Sequence, residues 1–390
     1  MLGHPDRLTA TFNVHFGHNY NHVSRCTMYG FMNRHFGMGF EEPVLERDFA
    51  PLSIAEMSVW NDEHPKPSGD AVGPAHERAV RKWMTADADI QLAKIISADC
   101  VDLDALRRTV GTAWQSMIGR AMPTATDVDV EVLDKNDKGR YVQLTTLVHN
   151  RPAREELPAV FLFPHNWNGE VVLWVSPEGK SSLYDSANQP VAPVRKLLDA
   201  GRGVVAADLY GQGEFTLDGM PIIENRMLVM FDPKQAEGRY APFTYGYNPT
   251  LFAQRVHDVL TLISSIRNHN RKPKRLSVVG LSGAGQWIAA ARAIAGPAID
   301  RSAINTNGFR FGEITEQRHA NFVPGALKYG DLPVLLALAA PQPLWLAGET
   351  VDSAALVRAA YRGAGAGDNL IIPGQASGHD AVAVVNWLIQ

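Results

Sequence analysis

The clearest alternation of apolar and polar residues in the chain begins at residue 127. Valines at every second position from 128 to 132 alternate with acidic residues, the polar segment 134–139 follows, and an apolar pattern resumes over 141–148. Alternation with a period of two indicates a strand with one buried face. Two such strands joined by a short polar turn form an antiparallel hairpin. The pattern therefore predicts a hairpin at the start of a sheet.

Downstream of this hairpin, short apolar runs alternate with longer segments of helical spacing. The predicted strands lie at 159–163, 171–175, 204–207, 276–280, 303–304, 344–347 and 369–374, and the predicted helices at 191–200, 251–266, 286–295, 332–339, 354–361 and 381–388. Strands that alternate with helices form parallel sheets with helices on both faces. We therefore predict an α/β fold with a mostly parallel central sheet and an antiparallel N-terminal edge. Active sites of such sheets lie beyond the carboxyl ends of the strands.

Two helices are predicted before the hairpin, at 75–96 and 103–118, joined around Cys100. Apolar residues recur at helical spacing in both, among them Trp83 and Trp114. Because Met, Trp and Ile at this spacing more often pack in a core than contact a cofactor, we assign them packing roles. Together with the loops from residue 41 onwards, these helices form a predicted helical extension over 41–126.

The first forty residues resemble the end of the chain. Residues 9–16 are predicted as a strand, 17–21 as a turn containing Gly17-His18, and 23–36 as a helix, while the C-terminus shows a strand, Gly378-His379 and a helix. We interpret this as a weak internal repeat. Residues 1–40 would then correspond to the tail of a preceding, similar unit.

Composition narrows the function classes. The 390 residues are 45% hydrophobic and 20% charged, and the net charge of −4 argues against nucleic acid or an anionic membrane as the main partner. No stretch is apolar enough to span a bilayer, and the N-terminus has no signal-peptide pattern, so we expect a cytoplasmic chain as it stands. Two cysteines are too few for a disulfide scaffold, and one disulfide between Cys26 and Cys100 is left as an alternative. No His/Glu pair suggests a metal site, and we expect no cofactor.

Ser282 stands at the most informative position in the chain. A β-branched run ends in Gly280-Leu281-Ser282-Gly283-Ala284, and an alanine-rich helical segment follows. A serine on a sharp strand-to-helix corner projects its hydroxyl away from the sheet, and the next backbone N–H can stabilise an oxyanion. Ser282 is therefore a candidate nucleophile and Gly283 a candidate oxyanion donor. Ala284 departs from Gly-x-Ser-x-Gly. The alternative is a turn of small residues where strand and helix pack closely.

A serine nucleophile needs a base, and the base needs a carboxylate that orients it. In this strand order the partners follow as serine, acid, histidine, which makes His379 the candidate base, with a cap of the final helix as the alternative. Asp352 and Glu349 are both candidate acids in the loop after strand 344–347, and we prefer Asp352 because it has more freedom to reach a histidine. Asp352 or Ser353 could instead cap the following helix. His18 is a rival base.

The second oxyanion donor is expected in the loop after strand 171–175. Pro177 has no N–H, so Glu178, Gly179 and Lys180 are the candidates. The loop 208–214 lies near the same edge and contains two glycines. We interpret it as a structural turn rather than a phosphate site, because it lacks a third glycine and a following helix.

At this point the chain resembles the α/β-hydrolase superfamily, and within it the acetyl xylan esterase-like and dienelactone-hydrolase-like bacterial esterases. The segments that carry the resemblance are 172–180, 208–214, 280–284, 323–332, 340–344 and Gly378-His379. The resemblance covers residues 127–390, which we take as the catalytic domain. It implies hydrolysis of carboxylic esters, including acetyl groups on carbohydrate, through an acyl-enzyme on Ser282.

Two alternatives to a serine esterase remain open. One is a serine peptidase of the same superfamily. The other is a catalytically silent module that binds carbohydrate or a partner chain through aromatic residues such as Trp167, Tyr245 and Tyr247. For the esterase, the expected partner is a small-molecule or carbohydrate ester. A homo-oligomer formed through the N-terminal segment is a further hypothesis.

Overall fold

The computed structural model describes residues 5–96, 101–227, 244–373 and 381–390. The chain divides into two compact units, Met1–Arg78 and Ala79–Gln390. The predicted relation of residues 1–40 to a preceding unit stays a prediction. No helix in the described ranges is long and apolar enough to cross a membrane.

The first unit contains helix α1, His22–Phe36, and the short helix α2, Ile54–Met57. The Asn21 side chain caps α1 by accepting from the Ser24 N–H, and Gly37 ends the helix in the left-handed conformation. The predicted helix is confirmed, but the predicted strand over 9–16 is wrong, since these residues have no regular structure. A strand needs a neighbour for its backbone hydrogen bonds, and the described segment pairs with none.

The second unit is built on a sheet that has nine strands in the described part of the chain. Their bounds are β1 Val128–Asp137, β2 Tyr141–Asn150, β3 Glu155–Pro164, β4 Glu170–Val175, β5 Gly203–Ala207, β6 Arg275–Gly280, β7 Arg301–Asn305, β8 Leu344–Ala347 and β9 Leu370–Ile371. Their order across the sheet is β1-β2-β3-β5-β4-β6-β7-β8-β9. The pairs β1–β2, β2–β3 and β3–β5 are antiparallel, and the remaining pairs are parallel. The predicted parallel sheet with an antiparallel N-terminal edge is confirmed.

Helices cover both faces of this sheet. They are α4 Leu103–Leu106, α5 Thr112–Ile118, α6 Ala192–Asp199, α7 Leu251–Arg267, α8 Gly285–Ala295, α9 Asp331–Ala337, α10 Ala355–Gly363 and α11 Ala381–Leu388. Helix α3, Gly73–Ala93, precedes them in the chain. Val171, Leu173 and Val175 of β4 pack in the core with α5 and α7 to α10, whereas Val172 and Trp174 pack with α6 and α11. Because successive strand residues point to opposite faces, β4 is buried on both. This explains why it reads as a continuous apolar run.

The two helices predicted before the sheet differ in how far their apolar residues are buried. In the segment 103–118, Leu106, Val110 and Trp114 are buried in the core of the second unit, as predicted. Helix α3 contains no buried residue, and Trp83 is 67% exposed. The predicted core role is therefore wrong for Val80, Trp83 and Met84, which are exposed. Leu92, Ile95 and Ile96 are partly buried and pack against the core, as predicted. An apolar stripe indicates that a helix face can be buried, but it does not specify a neighbour.

The last strand is shorter than predicted. Residues 369–374 were expected to form it, but β9 contains only Leu370 and Ile371, paired with the start of β8. Residues 374–380, including Gly378-His379, lie outside the described residues. The final helix, α11, agrees with the prediction.

Candidate active site

Ser282 lies on a tight corner between β6 and α8. Its φ is +53° and that of Gly283 is +101°, so a non-glycine residue adopts the left-handed conformation that most side chains avoid. Strained backbone of this kind concentrates at functional sites. The residue is exposed, and within the described ranges its hydroxyl makes no hydrogen bond. The corner therefore presents the Ser282 hydroxyl to solvent, as a nucleophile requires.

Two neighbouring glycines allow this corner to form. A Cβ on Gly280 would lie 2.5 Å from the Ile288 Cγ1 atom, and one on Gly285 would lie 2.1 Å from the Asn305 carbonyl oxygen. Ala284, by contrast, is buried with its methyl group accommodated. The close approach to β7 occurs at Gly285, so the departure from Gly-x-Ser-x-Gly at Ala284 is tolerated. The corner therefore combines an exposed serine with the close packing of strand and helix that the alternative prediction, a turn of small residues, requires.

Replacing Gly285 by alanine is expected to destabilise the second unit. The added methyl group collides with backbone rather than with a flexible side chain, so β7 or α8 must shift. Overpacking of this kind costs about 1–3 kcal/mol, and thermal unfolding should occur at a lower temperature. Gly111→Ala is the control, because nothing lies within 4 Å of a Cβ at Gly111. Equal unfolding temperatures for Gly285→Ala and the native chain would contradict this packing.

The loop after β4 lies beside the serine corner. A Cβ on Gly283 would lie 3.6 Å from the Pro177 Cγ atom. In the parallel pair β4–β6, Val175 is opposite Gly280, so the residues that follow each strand emerge at the same edge of the sheet. The Gly283 N–H has no acceptor among the described residues. It is free to bind an oxyanion.

The three candidates for the second donor differ in how their N–H groups are used. The Gly179 N–H donates to the Ser176 carbonyl at 3.1 Å and the Lys180 N–H to Asp208 Oδ1 at 3.0 Å. The Glu178 N–H contacts only the Ser176 hydroxyl, at 3.3 Å, which is longer than an ordinary N–H···O bond. Glu178 is therefore the candidate in this loop whose N–H is most available.

Glu349 is buried at the end of β8 and its carboxylate is fully used. Oε1 accepts from Thr306 Oγ1 at 2.6 Å and Arg310 Nη1 at 2.9 Å, and Oε2 accepts from Arg310 Nη2 at 2.6 Å and Ser353 Oγ at 2.5 Å. These four bonds occupy its four lone-pair positions. Burial alone would raise the pKa of Glu349, but the bonds from Arg310, Ser353 and Thr306 outweigh it and lower the pKa. A histidine would have to displace one of them.

Asp352 is exposed in the same loop, and its side chain makes no hydrogen bond within the described ranges. Its carbonyl accepts from the Ala355 N–H at 3.1 Å. The residue at the N-cap of α10 is Ala354, without a side-chain cap. The alternative roles of Asp352 and Ser353 as helix caps are therefore wrong, because the chain enters α10 one residue later. The Asp352 carboxylate is free to accept from a histidine.

The Glu349 network predicts acid sensitivity of the fold. A carboxyl group with a lowered pKa in the native state stabilises that state above its unfolded pKa, and the stabilisation is lost as pH falls through the folded value. We expect the native chain to lose stability as pH falls below about 4.5, the ordinary Glu pKa. Glu349→Gln should flatten this part of the profile. Thermal unfolding from pH 7 to 3 measures the effect, and identical slopes for both proteins would contradict it.

The described structure tests neither histidine candidate as the partner of Ser282. His379 lies outside the described residues, so its role stays a prediction. His18 lies in the first unit, where it is exposed. The described parts of the chain contain no cluster of residues suited to hold a metal ion.

Trp167, one of the three aromatic residues of the binding-module hypothesis, does not form one surface with Ser282. Trp167 donates to the Glu170 carbonyl at 2.8 Å. It lies between the end of β3 and the start of β4, at the amino edge of the parallel strands, opposite the serine corner. Tyr245 donates through its hydroxyl to the Gln317 carbonyl, and Tyr247 is exposed. The described structure therefore separates Trp167 from the serine corner.

The sheet order, the helices on both faces and the Ser282 corner define a protein of the α/β-hydrolase fold. The chain is similar to a provisionally assigned acetyl xylan esterase from Bacteroides fragilis, with a TM-score of 0.53 and 15% identity over 71% of this chain and 76% of that one. A promiscuous carbohydrate esterase family 15 enzyme from a marine bacterial metagenome gives 0.44 and 14%, over 72% and 89%. A provisionally assigned dienelactone hydrolase from Klebsiella pneumoniae gives 0.36 and 16%, over 67% and 95%. No protein-family model and no curated protein sequence matches the chain.

Proposed function

We propose that this protein is a serine hydrolase of carboxylic esters that acts through an acyl-enzyme on Ser282. The observation that carries the proposal is the exposed serine with positive φ at the carboxyl end of β6, next to a free Gly283 N–H. A tight turn that served packing alone would not require an exposed hydroxyl in a strained conformation. Acetyl esters of carbohydrate are the first substrate class to test, as the sequence resemblance implies.

In the proposed mechanism, a base takes the Ser282 proton as the hydroxyl oxygen attacks the ester carbonyl. The carbonyl electron pair moves to oxygen, and backbone N–H groups stabilise the resulting anion. The alcohol leaves with the proton, and water then releases the acid from the acyl-enzyme. We assign the base to His379 and its orientation to Asp352, whose carboxylate makes no hydrogen bond within the described ranges.

The test is a substrate panel on the purified chain. Short-chain 4-nitrophenyl esters and acetylated xylo-oligosaccharides should be hydrolysed, whereas acyl peptides should not, and pretreatment with a fluorophosphonate should abolish turnover. Hydrolysis of acyl peptides at rates similar to esters would favour the peptidase alternative. Absence of both turnover and fluorophosphonate labelling, with polysaccharide binding retained, would favour the silent module.

A further inference from the structure

A buried glutamine, Gln212, ties the loop after β5 to the loop after β4. Its Nε2 group donates to the Ser176 carbonyl at 3.1 Å and to the Pro177 carbonyl at 2.9 Å, and its Oε1 atom accepts from the Leu209 N–H at 2.9 Å. The side chain is completely buried. Both donors and the acceptor of the amide are used, so its orientation is fixed.

This contact also sets the direction of the next backbone N–H. The carbonyl and the N–H of a trans peptide point in opposite directions. Because the Pro177 carbonyl points at Gln212, the Glu178 N–H points away from it. The β4–β6 pairing ends with Val175 opposite Gly280, and a Cβ on Gly283 would lie 3.6 Å from the Pro177 Cγ atom. The loop that carries the Glu178 N–H therefore lies beside the Gly283 corner, at the same edge of the sheet.

A second set of contacts, centred on Asp208, holds the two loops together. Asp208 Oδ1 accepts from the Lys180 N–H, and Oδ2 accepts from the Glu214 N–H at 3.0 Å and pairs with the Lys180 ammonium group. A Cβ on Gly179 would lie 2.3 Å from Asp208 Oδ1, and one on Gly213 2.2 Å from Oδ2. The two glycines thus allow backbone to close around the carboxylate. These contacts join the two loops next to the Gln212 side chain.

We propose that Gln212 is a positioning residue that directs the Glu178 N–H into the oxyanion hole opposite the Gly283 N–H. This inference rests on the proposed esterase function. When Ser282 Oγ bonds to the ester carbon, the carbonyl electron pair moves to oxygen, and the anion accepts from both N–H groups. The Glu178 N–H then exchanges its long contact with the Ser176 hydroxyl for the anion.

The test compares an ester with the matching thionoester, in which sulfur replaces the carbonyl oxygen. Sulfur is a weak hydrogen-bond acceptor, so hydrolysis of the thionoester depends little on the oxyanion donors. Removing one donor directly lowers kcat by about 10²–10³, and misdirecting one should lower ester kcat/KM about 10- to 100-fold. We expect this fall in Gln212→Met and Gln212→Glu, with a much smaller fall on the thionoester. Exposed Gln189, changed to Met, is the control.

Two outcomes would overturn the inference. Equal falls on both substrates would indicate general loosening of the site, and an unchanged ester rate would indicate no positioning role. Gln212→Glu preserves side-chain size and the acceptor for Leu209, so it provides the measurement if Gln212→Met does not fold. Ester turnover by the native chain and its loss in Ser282→Ala test the proposed function separately. If the native chain hydrolyses the ester and Ser282→Ala does not, but the Gln212 variants keep the native ratio of ester to thionoester rates, then the proposed function stands and only the positioning role of Gln212 is rejected.

Discussion

Replacing Ser282 by alanine is expected to reduce kcat/KM for 4-nitrophenyl acetate by about 10⁴- to 10⁶-fold, since the nucleophile of such enzymes carries most of the rate enhancement. The residual rate would come from oxyanion donors and substrate binding. Folding should be little affected, because the hydroxyl is exposed and makes no hydrogen bond in the described part of the chain. Steady-state kinetics together with thermal unfolding measure both effects.

The control for Ser282→Ala is Ser186→Ala, which removes an exposed hydroxyl from a loop between β4 and α6. This variant should retain native activity. If Ser282→Ala instead kept more than about one tenth of the native rate, a factor worth only 1.4 kcal/mol, Ser282 would not be the nucleophile. The turn would then serve packing alone.

Replacing Asp352 by asparagine is expected to reduce kcat by about 10³- to 10⁴-fold at nearly native stability. Loss of the carboxylate that orients a catalytic histidine costs about 10⁴ in rate, because the imidazole adopts the wrong tautomer. Asp352 is exposed, so its loss leaves no buried charge unpaired. Asp368→Asn removes another exposed carboxylate and should leave kcat unchanged.

Glu349→Gln should show the opposite pattern. Breaking a buried ion pair leaves the Arg310 charge uncompensated and costs about 3 kcal/mol, so unfolding should occur at a lower temperature. At temperatures where the variant is folded, kcat should remain within an order of magnitude of native. Loss of turnover in Glu349→Gln, with native turnover in Asp352→Asn, would transfer the orienting role to Glu349.

The sequence predicted the architecture well where apolar periodicity was strong. The buried run 171–175 could be placed in a central strand, and the corner at Ser282 followed from a β-branched run that ends in small residues. The strand predicted at 9–16 failed because apolar alternation does not reveal whether a pairing partner exists. The prediction for helix α3 was wrong in a related way, since Trp83 and Met84 are exposed, whereas Leu92 packs against the core.

Within the candidate site, the sequence identified residue types but not how they are bonded. Glu349 and Asp352 are three positions apart in one loop, and only coordinates distinguish the saturated carboxylate from the free one. The role of Gln212 could not be predicted because its amide donates to backbone carbonyls 35 and 36 residues away. Such contacts leave no spacing pattern in a sequence. Gly213, next to Gln212, and Gly179 in the other loop were a signal, since each leaves room for Asp208.

Trapping the acyl-enzyme tests directly whether Ser282 is the nucleophile that carries the acyl group. The native chain is mixed with 4-nitrophenyl acetate, quenched in acid and digested, and the peptides are analysed by mass spectrometry. We predict one acetyl group on the peptide containing Ser282, formed at the rate of the nitrophenol burst and absent from the Ser282→Ala variant. Turnover of the ester with no acetyl group on Ser282, or with the acetyl group on another residue, would contradict it.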